Sequence, residues 1–280
     1  MADNSDQITE WNGVLGEKWA ELQAELDALT RPFGNAALAA ARVAPGEAVL
    51  DIGCGCGDTT FEIAGKVGPI GSVHGVDVSR PMLTVAGKRL KAEGLAQLTF
   101  AEADASAADL PANHDLLFSR FGVMFFDDPP AAFAHMRGSL KPTARLAFCC
   151  WRHPRENPWA VVPLSAARAA LNMEAPPADP YAPGPFAFAD AERLRGILSG
   201  ARFTNIEINA YDHPVRLGAT PAEAAENSIR FGPSGRFIRE MGDSVLPTVL
   251  PAMAKALEPF QGKDGCAPPG AVWIVIAKAS

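Results

Sequence analysis

The segment Val49-Leu-Asp-Ile-Gly-Cys-Gly-Cys-Gly-Asp58 gathers the residues best suited to hold a ligand. Gly53, Gly55 and Gly57 alternate directly after an apolar run and before a helical stretch. Glycines there let the backbone turn sharply and let a ligand approach with no Cβ in the way. The spacing is G-x-G-x-G, which departs from the G-x-G-x-x-G of dinucleotide sites. Asp51 stands two residues before the first glycine. A carboxylate aimed at the ligand opposes a pyrophosphate and suits a small ligand bearing an ammonium group. Cys54 lies inside the loop, and Thr59 opens the helix after it. Asp77 ends the next apolar run, at nearly the roughly 20-residue separation at which an acid accepts hydrogen bonds from ribose hydroxyls. Val78 and Met82 are placed to flank an adenine, and Asp104, after the third run, to receive its exocyclic amine. The plainer alternative is a tight turn for the glycines and helix caps for Asp77 and Asp104.

These residues need elements to position them. Ala48–Ile52, 72–77, 97–102, 115–119 and 144–150 read as strands, with helices over 59–66, 80–92 and 130–140 between them. A helix over 190–199, a strand over 203–209, helices within 220–258 and a last strand over 271–276 continue the alternation. The fold class expected is α/β, a seven-stranded, Rossmann-like, doubly wound and mostly parallel sheet. Ligands bind at the C-terminal ends of the strands of such sheets. Before it, Trp11, Leu15, Trp19, Leu22, Leu26 and Leu29 form one apolar stripe on a helix over 8–29. Arg31-Pro32 ends that helix, and an Ala-rich second helix follows over 35–42. Residues 152–188 hold Pro176-Pro177, Pro180, Pro183 and Pro185, which read as an insertion. The expected organisation is a single domain over 1–280. It divides into an N-terminal helical cap (1–43), a ligand-binding core (44–150) and two substrate-side insertions (151–202 and 211–270).

The ordered set of motifs resembles the class I S-adenosylmethionine-dependent methyltransferases, in the branch similar to the ubiquinone/menaquinone-biosynthesis enzymes. The resemblance rests on the glycine loop, on Gly75-Val-Asp-Val-Ser79 and on Ala103-Asp104-Ala105. His114-Asp-Leu-Leu-Phe-Ser-Arg-Phe-Gly-Val-Met-Phe-Phe126 and the turn Leu140-Lys-Pro142 complete it. Such enzymes usually carry Pro-Gly-Gly at that turn, where this chain has Pro142-Thr-Ala144, and Phe-Asp where it has His114-Asp115. The resemblance implies S-adenosylmethionine as cofactor, leaving as S-adenosylhomocysteine. Asp51 and the glycine loop would hold its methionine end, Asp77 its ribose, and Asp104 with Ala105 its adenine.

The implied reaction is in-line methyl transfer to a small molecule, where the protein chiefly supplies alignment and a dry pocket. A base is needed only for a protonated nucleophile. His153, just after the fifth strand, is the candidate, against the reading of a partly exposed loop histidine. Ser119 and Arg120 are expected on the methyl-donor side, with an ion pair as the alternative for Arg120. Trp19 and Trp11 could face a sulfonium or acceptor by cation–π contact, or be plain core. Met124, Phe125, Trp151, Trp159 and Phe231 are candidates for an apolar acceptor pocket. Arg230 could meet an anionic acceptor or form a surface salt bridge. The other enzyme reading, a nicotinamide-dependent oxidoreductase, is opposed by the glycine spacing. A non-catalytic S-adenosylmethionine-binding protein remains open.

The chain has 280 residues, 25 Lys+Arg and 32 Asp+Glu, a net charge of −7 that opposes general binding to nucleic acid. It has no long uncharged apolar stretch, so no membrane span is expected. Five cysteines, an odd number, together with an acidic, polar N-terminus, read as free buried thiols of a cytoplasmic protein. Their spacing does not suit a metal half-site, and no metal is expected. A small-molecule acceptor is the expected partner, and a homodimer is left open. The acceptor itself, and whether its O, N, C or S atom is methylated, lies beyond the sequence.

Overall fold

The computed structural model describes residues 4–177 and 179–279, with the backbone alone at Phe231. Three helices come first, α1 (Ser5–Asn12), α2 (Val14–Glu21) and α3 (Gln23–Ala41). They correct the expected pair of helices over 8–29 and 35–42. Extended backbone at Gly13 separates α1 from α2. Pro32 lies inside α3 and does not end it. A proline inside a helix costs about 3 kcal/mol. Full burial of Phe33, Ala37 and Ala41 on the same helix offsets that loss.

The alternation then runs β1 (Ala48–Ile52), α4 (Asp58–Val67), β2 (Ser72–Asp77), α5 (Arg80–Glu93), β3 (Leu98–Glu102), β4 (His114–Arg120), α6 (Pro129–Arg137) and β5 (Leu140–Trp151). It continues with α7 (Pro158–Ala170), α8 (Ala191–Gly200), β6 (Phe203–Pro214), α9 (Pro221–Phe231), α10 (Pro233–Met241) and α11 (Leu246–Leu257). A short ribbon, β7 (Gln261–Gly262) with β8 (Gly265–Cys266), leads into β9 (Pro269–Ala279).

Seven strands form one sheet in the order β3-β2-β1-β4-β5-β9-β6. Contacts among β1 to β5 are parallel, and β9 enters antiparallel between β5 and β6. Helices cover both sides, as expected. β1 is buried along four of its five residues, the continuous apolar pattern of a parallel strand sandwiched by helices. Two local readings change. Leu140-Lys-Pro142 is not a turn, because β5 starts at Leu140, and Pro142 falls where the β4–β5 register shifts. A proline is tolerated at such an irregularity because it has no N–H to donate. The proline-rich insertion also contains α7, whose apolar face was masked by its own Pro158 and Pro163. One apolar cluster extends from Phe33 on α3 to Ala279 on β9.

Candidate active site

The chain order of the sheet reverses between β1 and β4, which is where open α/β sheets bind ligands. A cavity of about 690 Å³ opens there, reached by Gly53, Asp77, Val78, Met82, Asp104 and Arg120. A recess of about 60 Å³ follows the glycine loop, lined by Cys54, Gly55 and Thr59 and walled by Gln23 and Asp27 of α3. Gly53, Met82, Trp19 and Arg120 border both.

The loop is held by hydrogen bonds from its own backbone. Gly53 has φ +66°, and a Cβ on it would stand 2.6 Å from the Gly122 Cα. Its N–H donates to the Val76 carbonyl at 2.8 Å. The Gly55 N–H donates to Asp77 Oδ2 and the Ser79 N–H to Asp77 Oδ1, both at 2.8 Å. Burial pushes the Asp77 pKa up, against the pull of those backbone donors. Asp77 therefore ties the loop to the end of β2 while still bordering the cavity.

Three expected ligand residues lie behind the cavity wall. Asp51 is fully buried and borders neither cavity. Thr60 Oγ1 donates to its Oδ2 at 2.7 Å, and Thr59 Oγ1 at 3.4 Å. The carboxylate thus faces the first turn of α4 and not the ligand, which corrects the reading of an acid aimed at an ammonium group. Burial raises its pKa to about 7, and its Oδ1 has no hydrogen-bond partner among the described residues. Gly57 caps α4 in the left-handed conformation. Ser119 Oγ donates to the Ile52 carbonyl at 2.7 Å and accepts from the Gly122 N–H at 3.1 Å, pinning the end of β4 to that of β1.

Arg120 both borders the cavity and pairs with carboxylates. It reaches Asp27 of α3 at 2.7 Å and Asp58 of α4 at 2.9 Å, and Arg31 joins Asp58 at 2.8 Å. Burial alone would depress its pKa, but Asp27 and Asp58 hold it above the ordinary value. Burial, with Asp27 and Asp77 nearby, pushes Cys56 up to about 12, and burial also raises Cys54. Both stay thiols at neutral pH, which removes them as nucleophiles. All five cysteines are free and buried.

The N-terminal helices close one side. Asn4 Nδ2 donates to Asp104 Oδ1 at 3.2 Å, while Ser106 N–H and Oγ donate to the same oxygen. Asn12 Nδ2 donates to the Val78 carbonyl at 2.7 Å, and Ser79 Oγ to that of Trp11 at 2.8 Å. Gly16 permits this approach, since a Cβ there would meet Ser79 Oγ at 2.7 Å. Trp11 stands edge-on to Trp19 at 5.5 Å and to Phe125 at 5.3 Å, and all three border the cavity.

Ala105, Met124, Trp151, Trp159 and Arg230 also border it. Trp151 stacks on Phe121 at 4.5 Å and meets Trp159 at 4.7 Å. Phe121 holds φ +63°, an uncommon conformation for an aromatic residue, and this aims the stack. Arg230 has Glu25 at 3.7 Å. The side chain of Phe231 lies outside the described residues. His153 does not join the site. It is exposed, its Nδ1 accepts from the Arg155 N–H at 3.1 Å, and it borders neither cavity. The residue caps a short 3₁₀ turn after β5. Reasoning from sequence missed Arg168, Ser234, Arg236 and Arg239, which border the cavity from α7 and α10. The helices within 220–258 were expected, but sequence alone does not say which of their faces meets the cavity or that α7 packs against α10. Among the described residues, no group of three His, Cys, Asp or Glu side chains is set to hold a metal. No helix among them is long and apolar enough to cross a membrane.

Comparisons with known proteins point to the same place. Residues 49–143 match the family described as a methyltransferase domain. Aklanonic acid methyltransferase DauC of Streptomyces sp. (strain C5) is 36% identical over 118 residues, 42% of this chain and 54% of that protein. Nocamycin O-methyltransferase of Saccharothrix syringae is 29% identical, covering 69% of this chain and 71% of its own. The ubiquinone/menaquinone biosynthesis C-methyltransferase UbiE of Shewanella piezotolerans is 33% identical, covering 40% of this chain and 46% of its own. The chain thus spans about half the length of the first and third of these relatives. Among solved structures, the YcgJ protein of Bacillus subtilis shares the fold, with a TM-score of 0.58 at 15% identity over 88% of this chain and 97% of that one. The residues that match the methyltransferase-domain family, 49–143, thus lie on this sheet with the cavity at its switch point, and over that stretch the chain is similar to the ubiquinone/menaquinone-biosynthesis C-methyltransferases.

Proposed function

We propose that the protein transfers a methyl group from S-adenosylmethionine to a small-molecule acceptor. The observation that carries this reading is the two-sided cavity of about 690 Å³. That volume falls within the roughly 300–1,000 Å³ of small-molecule sites. Acids and glycines at the ends of β1, β2 and β3 line one side, and tryptophans and helices after β5 line the other. The first side fits the cofactor. A Cβ on Gly55 would press on Met82, which borders both cavities, and Asp104 Oδ2 has no donor among the described residues while Oδ1 has three. Asp77 would take the ribose, Val78 and Met82 would flank the adenine, and Asp104 with Ala105 would hold its edge. Gly53, Cys54, Gly55 and Thr59 would border the methionine end.

S-adenosylmethionine supplies an activated methyl carbon and a neutral sulfur leaving group. The protein aligns the acceptor atom opposite the carbon–sulfur bond and excludes water with α1 to α3. Trp11, Trp19 and Phe125 present rings to the cavity, suited to a cationic sulfur by cation–π attraction. Asp51, Gly57 and Ser119 act from behind, by fixing the loop and the ends of β1 and β4. His153 is left out of the reading because it faces solvent.

The supporting organisation is one domain over 1–280, with the cap at 1–43, the cofactor core at 44–150 and the acceptor side in 151–202 and 211–270. Five free thiols support a reducing, cytoplasmic setting. A homodimer is compatible with the reading, and the net charge of −7 speaks against nucleic acid as the acceptor.

The test is transfer of radiolabelled methyl from S-adenosylmethionine to fractions of a small-metabolite extract, beside calorimetric titration of the cofactor. Labelled product in a fraction is the expected result. Cofactor binding with no transfer to any fraction would instead establish a non-catalytic binding protein. Absence of cofactor binding would overturn both readings.

A further inference from the structure

The acceptor side of the cavity has a charge that opposes that of the whole chain. Arg168 of α7, Arg230 of α9, and Arg236 and Arg239 of α10 all border it, in a protein whose net charge is −7. Two of the four have carboxylates. Arg230 has Glu25 at 3.7 Å, and Arg236 has Glu240 at 3.2 Å with Glu10 at 3.9 Å. Arg168 and Arg239 differ. Neither guanidinium makes a hydrogen bond or ion pair with a described residue. The Arg168 guanidinium carbon lies 5.5 Å from the Phe237 ring of α10, and Arg239 Nη1 would stand 3.5 Å from a Cβ on Gly235. Both are therefore carried by the first two turns of α10 or held against them.

A second observation lies at the same helix start. Ser234, 1% exposed, borders the cavity, and its hydroxyl is buried with no hydrogen-bond partner among the described residues. A buried hydroxyl left unmatched costs about 1–3 kcal/mol. Gly232 and Pro233, which precede it, border the cavity too, so the N-terminus of α10 opens onto it. Backbone N–H groups there favour an anion. Unpaired guanidinium groups, an unpaired hydroxyl and a helix N-terminus share one chemistry, the recognition of an oxyanion. Around them the wall is apolar, with Trp159, Leu164 and Phe186.

Resting on the methyltransferase reading above, we propose that the acceptor is an amphipathic anion. Its apolar, ring-bearing body packs on Trp159, Leu164 and Phe186. A carboxylate or phosphate on that body docks between α7 and α10, on Arg168, Arg239 and Ser234. The oxyanion is an anchor on the wall that α7 and α10 give the cavity. Arg168 and Arg239 are thus specificity-determining residues, acting on acceptor affinity.

The test is calorimetric titration of the protein saturated with S-adenosylhomocysteine, using three matched probes, 2-naphthoate, 2-naphthyl phosphate and 2-naphthamide. At least one anion should bind ten-fold or more tightly than the neutral amide, and the tighter of the two names the oxyanion. In the double variant Arg168→Gln/Arg239→Gln that preference should fall below two-fold, with S-adenosylhomocysteine affinity and melting temperature unchanged. Arg168→Lys, which keeps the charge, should retain part of the preference. Equal binding of amide and anions, no binding of either anion, or a preference that survives the double variant would overturn the proposal. Failure of the methyltransferase reading is a different result, the absence of S-adenosylhomocysteine binding at the first step.

Discussion

Arg120 at the end of β4 and Asp27 in α3 meet at 2.7 Å with side chains only 13% and 7% exposed. The pair fastens the N-terminal helices to the strand that flanks the glycine loop. A buried pair broken by removing one partner typically costs about 3–5 kcal/mol, because the other charge is stranded. Arg120→Met should therefore lower unfolding free energy in urea by about that amount at pH 7. Arg120→Met/Asp27→Leu should recover part of it. A loss below about 1 kcal/mol in the single variant would mean that water reaches the pair.

Gly53 and Gly55 both hold positive φ, yet they should respond differently to substitution. A Cβ at Gly53 would strike the Gly122 backbone at 2.6 Å, whereas one at Gly55 would meet the movable end of Met82 at 2.6 Å. Gly53→Ala should fail to fold or melt well below Gly55→Ala. The second should keep its fold and lose affinity for S-adenosylmethionine. Equal melting temperatures would show that the approach of Gly53 to Gly122 is not a tight constraint.

Asp77 joins the Gly55 and Ser79 N–H groups and faces the cavity. Asp77→Ala should weaken cofactor binding by roughly 1–3 kcal/mol, the range for lost hydrogen bonds to a charged group. Calorimetric affinity equal to that of the unaltered protein would refute the ribose assignment.

Asp51 makes stability depend on pH. Its pKa rises from 3.8 to about 7 in the folded state, so the folded protein holds a proton there that the unfolded chain releases. This contribution is fully present below pH ~3.8 and is lost as pH rises through about 7, at up to about 1.4 kcal/mol per pH unit. Asp51→Asn removes it. The stability of the unaltered protein minus that of the variant should fall steadily between pH 4.5 and 7.5 in urea titrations. A constant difference would show Asp51 ionised throughout.

The parts legible in the sequence were those governed by local rules. The apolar run of β1, the alternating glycines and the acid ending β2 each follow from chain geometry over a few residues, so loop and sheet were readable together. Asp51 was not, because the position of a carboxylate two residues before a glycine says nothing about the direction it faces. That direction is decided by Thr59 and Thr60, one turn into α4. The single N-terminal stripe misled for a similar reason. Its spacing continues across Gly13, but the chain bends there so that Gly16 can approach Ser79. Arg168 and Arg239 stand 71 residues apart in sequence, and only the packing of α7 against α10 brings them to one wall.

The place of β9 bears on how the molecule is made. β6 has β9 as its sheet neighbour, and β9 is synthesised more than 50 residues later. During translation the sheet from β3 to β5 can pair as it emerges, while β6 waits with open backbone groups. Helix α8, which packs on β6, waits with it. The sheet from β3 to β5 can thus mature on the ribosome while β6 is paired last, in one late step of strand insertion. Unpaired strand edges are where nascent chains associate wrongly. The newborn protein is therefore most exposed to misassembly along β5 and β6, the two strands that β9 later joins.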